Sequence, residues 1–233
     1  MIYKTLLEIK TEINNALDLA NEEFLATGEL TAYINDGIRQ AEAKIHGIYE
    51  DYFRTEANIN LVTGTSEYAL PTTIFANKIR GVGYNNGPII YPVRKYRENE
   101  FATKVAFDRY AGGVGNQDDY QYFLKNDTAS GGIKLVLVPA SRETLTSGLK
   151  IWFLREANIL ALDADKCDIP EFYQFVVQYA KVRVMEKDNH PGLQTGLLLL
   201  NKFEQTMIST LSTMIPDSDN TVEADYSHYQ EHS

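Results

Sequence analysis

The sequence has a single cysteine, Cys167, among its 233 residues. One thiol cannot form a disulfide within the chain, so the fold does not depend on an oxidising compartment. A thiol nucleophile would need a histidine beside it, and the four histidines stand in unrelated parts of the sequence. We therefore predict that Cys167 is a structural or an incidental residue and not a nucleophile.

Long apolar runs are also missing. The longest, Leu197 to Leu200, is far shorter than the roughly 20 residues that cross a bilayer. The first residues, 1–8, include an acidic side chain and lack the apolar core of a signal peptide. The sequence therefore predicts no membrane partner.

Basic charge is scarce. The chain has 22 Lys and Arg against 32 Asp and Glu, which gives a net charge of -10 and a pI near 4.9. A general nucleic-acid-binding protein would present a basic face, so the net charge argues against that class. Contact with DNA in transit remains open, because an acidic wall repels phosphate and lets DNA slide without sticking.

No complete catalytic or metal-binding motif is present. The glycines of 112–115 are not followed by the Gly-Lys-Ser/Thr of a phosphate loop. Asp163, Asp165 and Asp168 imitate the start of a calcium loop, but Asp168 stands where glycine is required and Gln174 where glutamate is required. We interpret these aspartates as loop solvation and helix capping. The sequence predicts no enzyme, no catalytic residue, no metal and no cofactor, although a carboxylate pair formed only by the fold stays open.

Apolar periodicity predicts two helices at the start of the chain, over residues 5–20 and 29–53. Thr27 is placed to cap the second helix, and Glu29 favours its positive end. Gly37 and Gly47 weaken that helix by about 1 kcal/mol each relative to Ala. We expect such glycines to allow another backbone to approach closely.

Two further helices are predicted near the end. Asp168 and Glu171 have capping-box spacing around Pro170, so a helix should open there. Pro191-Gly192 interrupts the pattern, and a last helix runs until Pro216. Its apolar stripe is Leu193, Leu197, Leu200, Phe203, Met207, Leu211 and Met214.

Between these helix pairs the period changes to that of strands and hairpins. Predicted strands cover 58–62, 67–71, 78–84, 89–93, 120–124, 133–139 and 149–155, with a tight hairpin turn at 85–87. Residues 94–110 look helical, and 111–119 form a glycine-rich loop. Several short strands joined by turns favour an antiparallel sandwich or barrel.

The predicted fold class is therefore α+β. A helical platform of about four helices, at 1–55 and 161–215, accompanies a central antiparallel sandwich or barrel-like domain at 56–160. Residues 216–233 form an extended acidic tail, since they cannot bury much apolar surface.

Charges of opposite sign lie in separate places. The segment 94–110 is the most basic stretch, and Arg94, Lys95 and Arg97 open it. A solvated helix face is the usual interpretation of such a stretch. The functional interpretation is that the patch contacts an acidic partner, for instance the tail of a neighbouring copy. The tail residues predicted to contact a portal or a neighbour are Asp217, Asp219, Glu223, Asp225, Tyr226 and Tyr229.

Four stretches together resemble the head-to-tail connector (adaptor) proteins of tailed bacteriophages. They are the helix of 28–41 around Ile34-Asn35-Asp36, the hairpin Gly64 to Pro71, the strands at 133–140 and 149–153, and the segment 162–172 with its following helix. Each motif is degenerate alone, and their order and spacing carry the resemblance.

The resemblance implies a structural virion protein of the neck, at the portal vertex, that is cytoplasmic in the host before assembly. Such proteins form a ring under the portal, usually of twelve copies, which extends the DNA channel and offers the tail its attachment surface. The implied partners are the portal protein, copies of itself, a downstream tail or nozzle protein, and viral DNA that passes without sequence-specific binding. Two other functions stay open: a tail-associated peptidoglycan hydrolase, and a tail or baseplate binding module.

Overall fold

The computed structural model describes residues 3–18, 25–96, 120–127 and 132–214. These residues fold as two compact units. One contains the described residues of Met1–Tyr49 and Ile159–Ser233, and the other those of Glu50–Asn158. The first is helical and the second is built on a sheet, which confirms the α+β class with helices at both ends of the chain.

The described part of the helical unit contains four helices. They are α1 (Leu6–Leu17), α2 (Glu29–Ile48), α3 (Tyr173–Lys187) and α4 (Leu193–Met214). The second helix is shorter than predicted, because it ends at Ile48 and a 3-10 turn follows at Glu50–Phe53.

One helix start follows a capping box that local sequence alone encodes. The Thr5 hydroxyl accepts the Glu8 N–H at 3.2 Å, and the Glu8 carboxylate accepts the Thr5 N–H at 2.8 Å. Two unpaired donors of the first turn are satisfied in this way.

Both predicted caps are wrong. Gly28 is the N-cap of α2, with φ +84°, and Thr27 does not cap it. The Glu29 carboxylate instead reaches back to the Ala26 N–H at 2.8 Å. Near the third helix, a turn closed by the Phe172 N–H and the Ile169 carbonyl at 3.0 Å delays the start to Tyr173, so Asp168 does not cap it.

The pair α2 and α3 forms the centre of the helical unit. Helix α1 packs against both of these helices, and α4 packs mainly against α3. Gly37 permits the central crossing, since a Cβ there would lie 3.2 Å from the Val176 carbonyl oxygen. This confirms the expected close approach at Gly37. The same expectation is wrong at Gly47, where a Cβ would meet nothing within 4 Å.

The other unit is a seven-stranded sheet that curls into a nearly closed barrel. The strand order is β1-β7-β3-β4-β5-β6-β2, and the pairs are antiparallel except β4 with β5. The strands are β1 (Arg54–Leu61), β2 (Glu67–Ala69), β3 (Ile74–Asn85), β4 (Ile90–Lys95), β5 (Gln121–Asp127), β6 (Gly132–Val138) and β7 (Leu145–Arg155).

Side chains from all seven strands, together with Tyr120, fill the barrel. The buried set is Leu61, Tyr68, Val82, Tyr84, Val93, Tyr120, Tyr122, Leu135, Leu137, Leu149 and Ile151. Three of its tyrosine hydroxyls have identified partners: that of Tyr68 donates to the Thr65 carbonyl at 2.9 Å, that of Tyr84 donates to Glu143, and that of Tyr120 accepts the Arg142 N–H at 3.2 Å. Burial of a tyrosine body with a bonded tip stabilises a core without leaving a polar group unsatisfied.

The turn predicted between β3 and β4 is confirmed. The Asn86 N–H donates to the Ile89 carbonyl at 3.1 Å, and Gly87 has φ +83°. The helix predicted from residue 94 is wrong at its first two residues, because Arg94 and Lys95 end strand β4. Residues 97–119, including the predicted glycine-rich loop, lie outside the described residues.

Candidate interaction surfaces

Helix α4 exposes three consecutive leucines, which we call the α4 leucine face. Leu197, Leu198 and Leu199 are 38%, 72% and 39% exposed. Only two of the 22 residues of this helix are charged, Lys202 and Glu204. Few charges around an exposed apolar group are typical of the core of a protein–protein interface.

The opposite side of α4 anchors it to the rest of the helical unit. Gly196 is buried, and a Cβ there would lie 3.0 Å from the Met185 sulfur. The buried Gln178 amide donates to the Gly196 carbonyl at 3.0 Å. Because Gly196 faces inward, the leucines that follow it turn outward. The prediction that Leu197 belongs to the packed stripe is therefore wrong, whereas Met207 and Leu211 are buried as expected.

An ion pair holds the middle of α4 to α2. The Lys44 Nζ lies 2.6 Å from the Glu204 Oε1, and each side chain is 30% exposed. This pairing leaves Lys202 as the one other charge on the helix, on an exposed position. The helix is thus fixed along its length while its outer face stays almost neutral.

A second apolar surface lies at the start of α1, and we call it the α1 apolar patch. It consists of Tyr3, Leu7 and Leu162, which are 47%, 54% and 69% exposed. The chain at 162–167 runs along the start of α1, because the Leu7 N–H donates to the Asp163 carbonyl at 3.1 Å and the Cys167 N–H to the Lys4 carbonyl at 2.9 Å. These backbone bonds bring the separate exposed side chains to one part of the unit.

The aspartates after Leu162 organise this loop. The Asp165 carboxylate accepts the N–H groups of Ala161 and Leu162, both at 2.7 Å, and these bonds lower the pKa of Asp165. Asp163 pairs with Lys10 at 3.0 Å. The interpretation of the aspartates as loop residues is confirmed for these two. Throughout the described ranges, no group of three or more His, Cys, Asp and Glu side chains is arranged to hold a metal ion.

The tip of the β3–β4 hairpin is a third apolar exposure. Ile89 and Ile90 are 52% and 42% exposed, and Pro88 beside them is exposed as well. The turn at Asn86 and Gly87 fixes this tip by its backbone geometry. A short rigid projection with two branched apolar side chains suits contact with an apolar surface of another protein.

The predicted basic patch is only partly described. Arg94 and Lys95 have exposed side chains at the end of β4, where they pair in parallel with Gln121 and Tyr122. Arg97 lies outside the described residues. The predicted tail contacts lie outside them too: Asp217, Asp219, Glu223, Asp225, Tyr226 and Tyr229.

Cys167 is fully buried, and burial raises the pKa of its thiol to about 11. A thiol with that pKa is almost entirely protonated near neutral pH, so it is a poor nucleophile. The prediction of a structural cysteine agrees with this environment. No helix in the described part of the chain has both the length and the apolar character needed to cross a bilayer.

Sequence reasoning missed both surfaces of the helical unit. The run at 197–200 is too short for a membrane segment, and the helical period assigns Leu197 and Leu200 to the packed stripe, so neither pattern predicts an exposed leucine face. No pattern singles out Leu7. The sequence of α4 does contain a sign of an exposed apolar face, because a helix of 22 residues with only two charged residues has no charged face to present to water. No comparable signal marks the α1 apolar patch, because Leu162 joins it only through the fold.

Comparison with known proteins agrees with the resemblance described above. No curated protein matches the chain. The family model described as SU10 adaptor protein matches residues 4–225, which is nearly the whole chain. The four helices, the barrel-like sheet and the surfaces described here thus belong to a bacteriophage structural adaptor. The chain is a member of the SU10 adaptor protein family.

Proposed function

We propose that the protein forms a ring under the portal of the virion, extends the DNA channel and presents the attachment surface of the tail. The α4 leucine face carries the assembly part of this proposal. An isolated soluble subunit gains nothing from three exposed leucines on an almost uncharged helix, whereas an assembled subunit buries them. Family membership supports the position at the neck, between portal and tail.

We take the ring to be dodecameric, as the resemblance implies. The net charge of -10 supports its role as a channel. Negative walls repel the phosphate backbone. They do not displace its counterions, so the channel gains no affinity for the passing DNA. The proposal assigns the chain no catalytic role and no sequence-specific contact with DNA.

Two charged segments give further partners within the proposal. The acidic segment 217–233 docks on the portal or on a neighbouring copy, and Arg94, Lys95 and Arg97 contact an acidic partner. The apolar tip of the β3–β4 hairpin is available to a downstream tail or nozzle protein. Before assembly the subunit resides in the host cytoplasm, and afterwards at the portal vertex.

Native mass spectrometry of the full chain, alone and mixed with the portal protein of the same phage, tests this function. We expect a subunit that becomes part of a ring-sized complex only when the portal is present. Absence of any complex at every mixing ratio would overturn the proposal. The stoichiometry read from the mass decides the copy number directly.

Two variants separate the charged contacts from the ring itself. A chain that ends at Met214 keeps all four described helices and tests the tail; we expect weaker binding to the portal. The double variant Arg94→Glu/Lys95→Glu tests the basic patch on exposed positions. Unchanged portal binding by either variant would remove that contact from the proposal and leave the ring in place.

A further inference from the structure

We infer that the α4 leucine face of one copy packs against the α1 apolar patch of the next copy. This inference rests on the ring proposed above and assigns its subunit interface. It commits both surfaces to a second copy of this chain rather than to the portal or the tail.

The positions of the two surfaces within the helical unit favour this pairing. Helices α2 and α3 form the centre, α1 packs on that pair, and α4 packs mainly on α3. The leucine face therefore lies on one outer helix, α4, and the apolar patch lies at the start of the other, α1. A cyclic ring needs two different surfaces on each subunit, so that the first surface of one copy meets the second surface of the next.

The chemistry of the two surfaces is also complementary. Each presents three large apolar or aromatic side chains: Leu197, Leu198 and Leu199 on α4, and Tyr3, Leu7 and Leu162 at the start of α1. Burial of such side chains stabilises a contact because it removes apolar surface from water. Tyrosine in the patch fits an interface, since it combines a large apolar body with a polar tip.

The charges at the margins have opposite sign. Lys202 is exposed one turn after Leu198, and Asp163 follows Leu162 with its side chain 60% exposed. Asp163 already pairs with Lys10 at 3.0 Å, but its exposure leaves room for a second cation. An attractive pair at the edge sets the register of the contact, while the leucines supply its core.

A contact of the leucine face with itself is disfavoured by the same features. Such a symmetric pairing would place Lys202 of one copy near Lys202 of the other, so that equal charges would repel. It would also close a dimer instead of a ring. It would also leave the α1 apolar patch uncovered. The heterologous pairing covers both surfaces and continues around the ring.

Cysteine cross-linking on the assembled portal complex tests the contact. Leu7→Cys and Leu198→Cys are combined in one chain, and a short bis-maleimide spacer is added after ring assembly. The native Cys167 is buried, so the unsubstituted chain serves as the background control. We expect a ladder of covalent oligomers beyond the dimer from the double variant and none from either single variant.

A matched control places the second cysteine at Ser212, which is exposed on α4 about 21 Å along the helix from Leu198. The pair Leu7→Cys/Ser212→Cys should give no ladder. A ring that assembles on the portal without cross-links in the Leu7→Cys/Leu198→Cys variant would overturn the interface while the proposed function stands. Dimers from Leu198→Cys alone, or a ladder from the Ser212 control, would overturn it as well. Failure of the unsubstituted chain to form a ring would instead overturn the proposed function.

Discussion

The side chain of Asn35 in α2 pairs with the backbone of Leu160 as a second strand would. Its Nδ2 donates to the Leu160 carbonyl at 2.9 Å, and its Oδ1 accepts the Leu160 N–H at 2.9 Å. Asn35 is buried and Leu160 is 1% exposed. The amide therefore satisfies two backbone groups at the point where the chain re-enters the helical unit.

Asn35→Ala should lower the free energy of unfolding of the helical unit by about 2–4 kcal/mol. Both Leu160 groups would be left buried without their partner, and each such loss costs about 1–3 kcal/mol. Urea unfolding followed by far-UV circular dichroism measures the change. Asp36→Ala, at a neighbouring position whose side chain is 46% exposed, is the matched control and should shift stability by about 0.5 kcal/mol or less. Equal effects of the two variants would contradict the role given to Asn35.

Glycine substitutions in α2 should have opposite signs at its two glycines. Gly47→Ala should stabilise by about 1 kcal/mol, because helix propensity improves and a Cβ meets nothing within 4 Å. Gly37→Ala should destabilise by about 1 kcal/mol, because the Cβ lies 3.2 Å from the Val176 carbonyl oxygen and 3.3 Å from the Tyr179 ring. Thermal and urea midpoints of both variants check this. Stabilisation at Gly37 equal to that at Gly47 would show that the α2–α3 crossing is not tight there.

Glu29 should make the stability of the helical unit depend on acid pH. Its carboxylate accepts bonds from Lys187 at 2.5 Å, Tyr33 at 2.6 Å and Ala26 at 2.8 Å. The Lys187 bond first, and then the other two, lower the pKa of Glu29 from 4.5 to about 2. A depressed carboxyl pKa means that its stabilising contribution is present above about pH 4.5 and is lost as the pH falls toward 2.

Melting temperatures of the unsubstituted chain and of Glu29→Gln across this pH range measure the effect. The variant should melt lower at pH 7, and the difference should shrink between pH 4.5 and 2. Glu186→Gln is the control, because Glu186 forms its ion pair within α3, with Arg183 at 2.8 Å. A difference at Glu29 that stays constant with pH would contradict the charge-based explanation.

Local patterns predicted the helices well and their caps poorly. The apolar period located α2 and α4, because a helix in this unit must bury one stripe. The predicted caps are wrong because a nearby feature takes the place of each: Gly28, with positive φ, is the N-cap in place of Thr27, and the turn at 169–172 separates Asp168 from the start of α3. Cap residues compete within a few positions, and sequence spacing alone does not decide between them.

The strand at Arg94 and Lys95 could not be predicted from its neighbourhood. These residues extend β4 because they pair with Gln121 and Tyr122, more than 25 residues further along the chain. Strand formation depends on such distant partners more than helix formation does. The same limit applies to the α1 apolar patch. The backbone bond from Leu7 to Asp163, which brings Leu162 to the start of α1, joins residues that are separated in sequence by the whole sheet unit.

The α4 leucine face should matter for assembly and not for folding. Leu198→Glu changes a side chain that is 72% exposed, so the free energy of unfolding should move by about 0.5 kcal/mol or less. A carboxylate placed among the leucines would be removed from water on assembly and would compete with Asp163 of the next copy for Lys202, which would weaken each contact by about 1–3 kcal/mol, repeated around the ring. Native mass spectrometry with the portal should therefore show loss of the ring, with Leu198→Met retaining it and Ser212→Glu retaining it as the charge-matched control. A ring that tolerates Leu198→Glu would place the subunit interface on another part of the surface, and the hairpin tip at Ile89 and Ile90 would become the next surface to substitute.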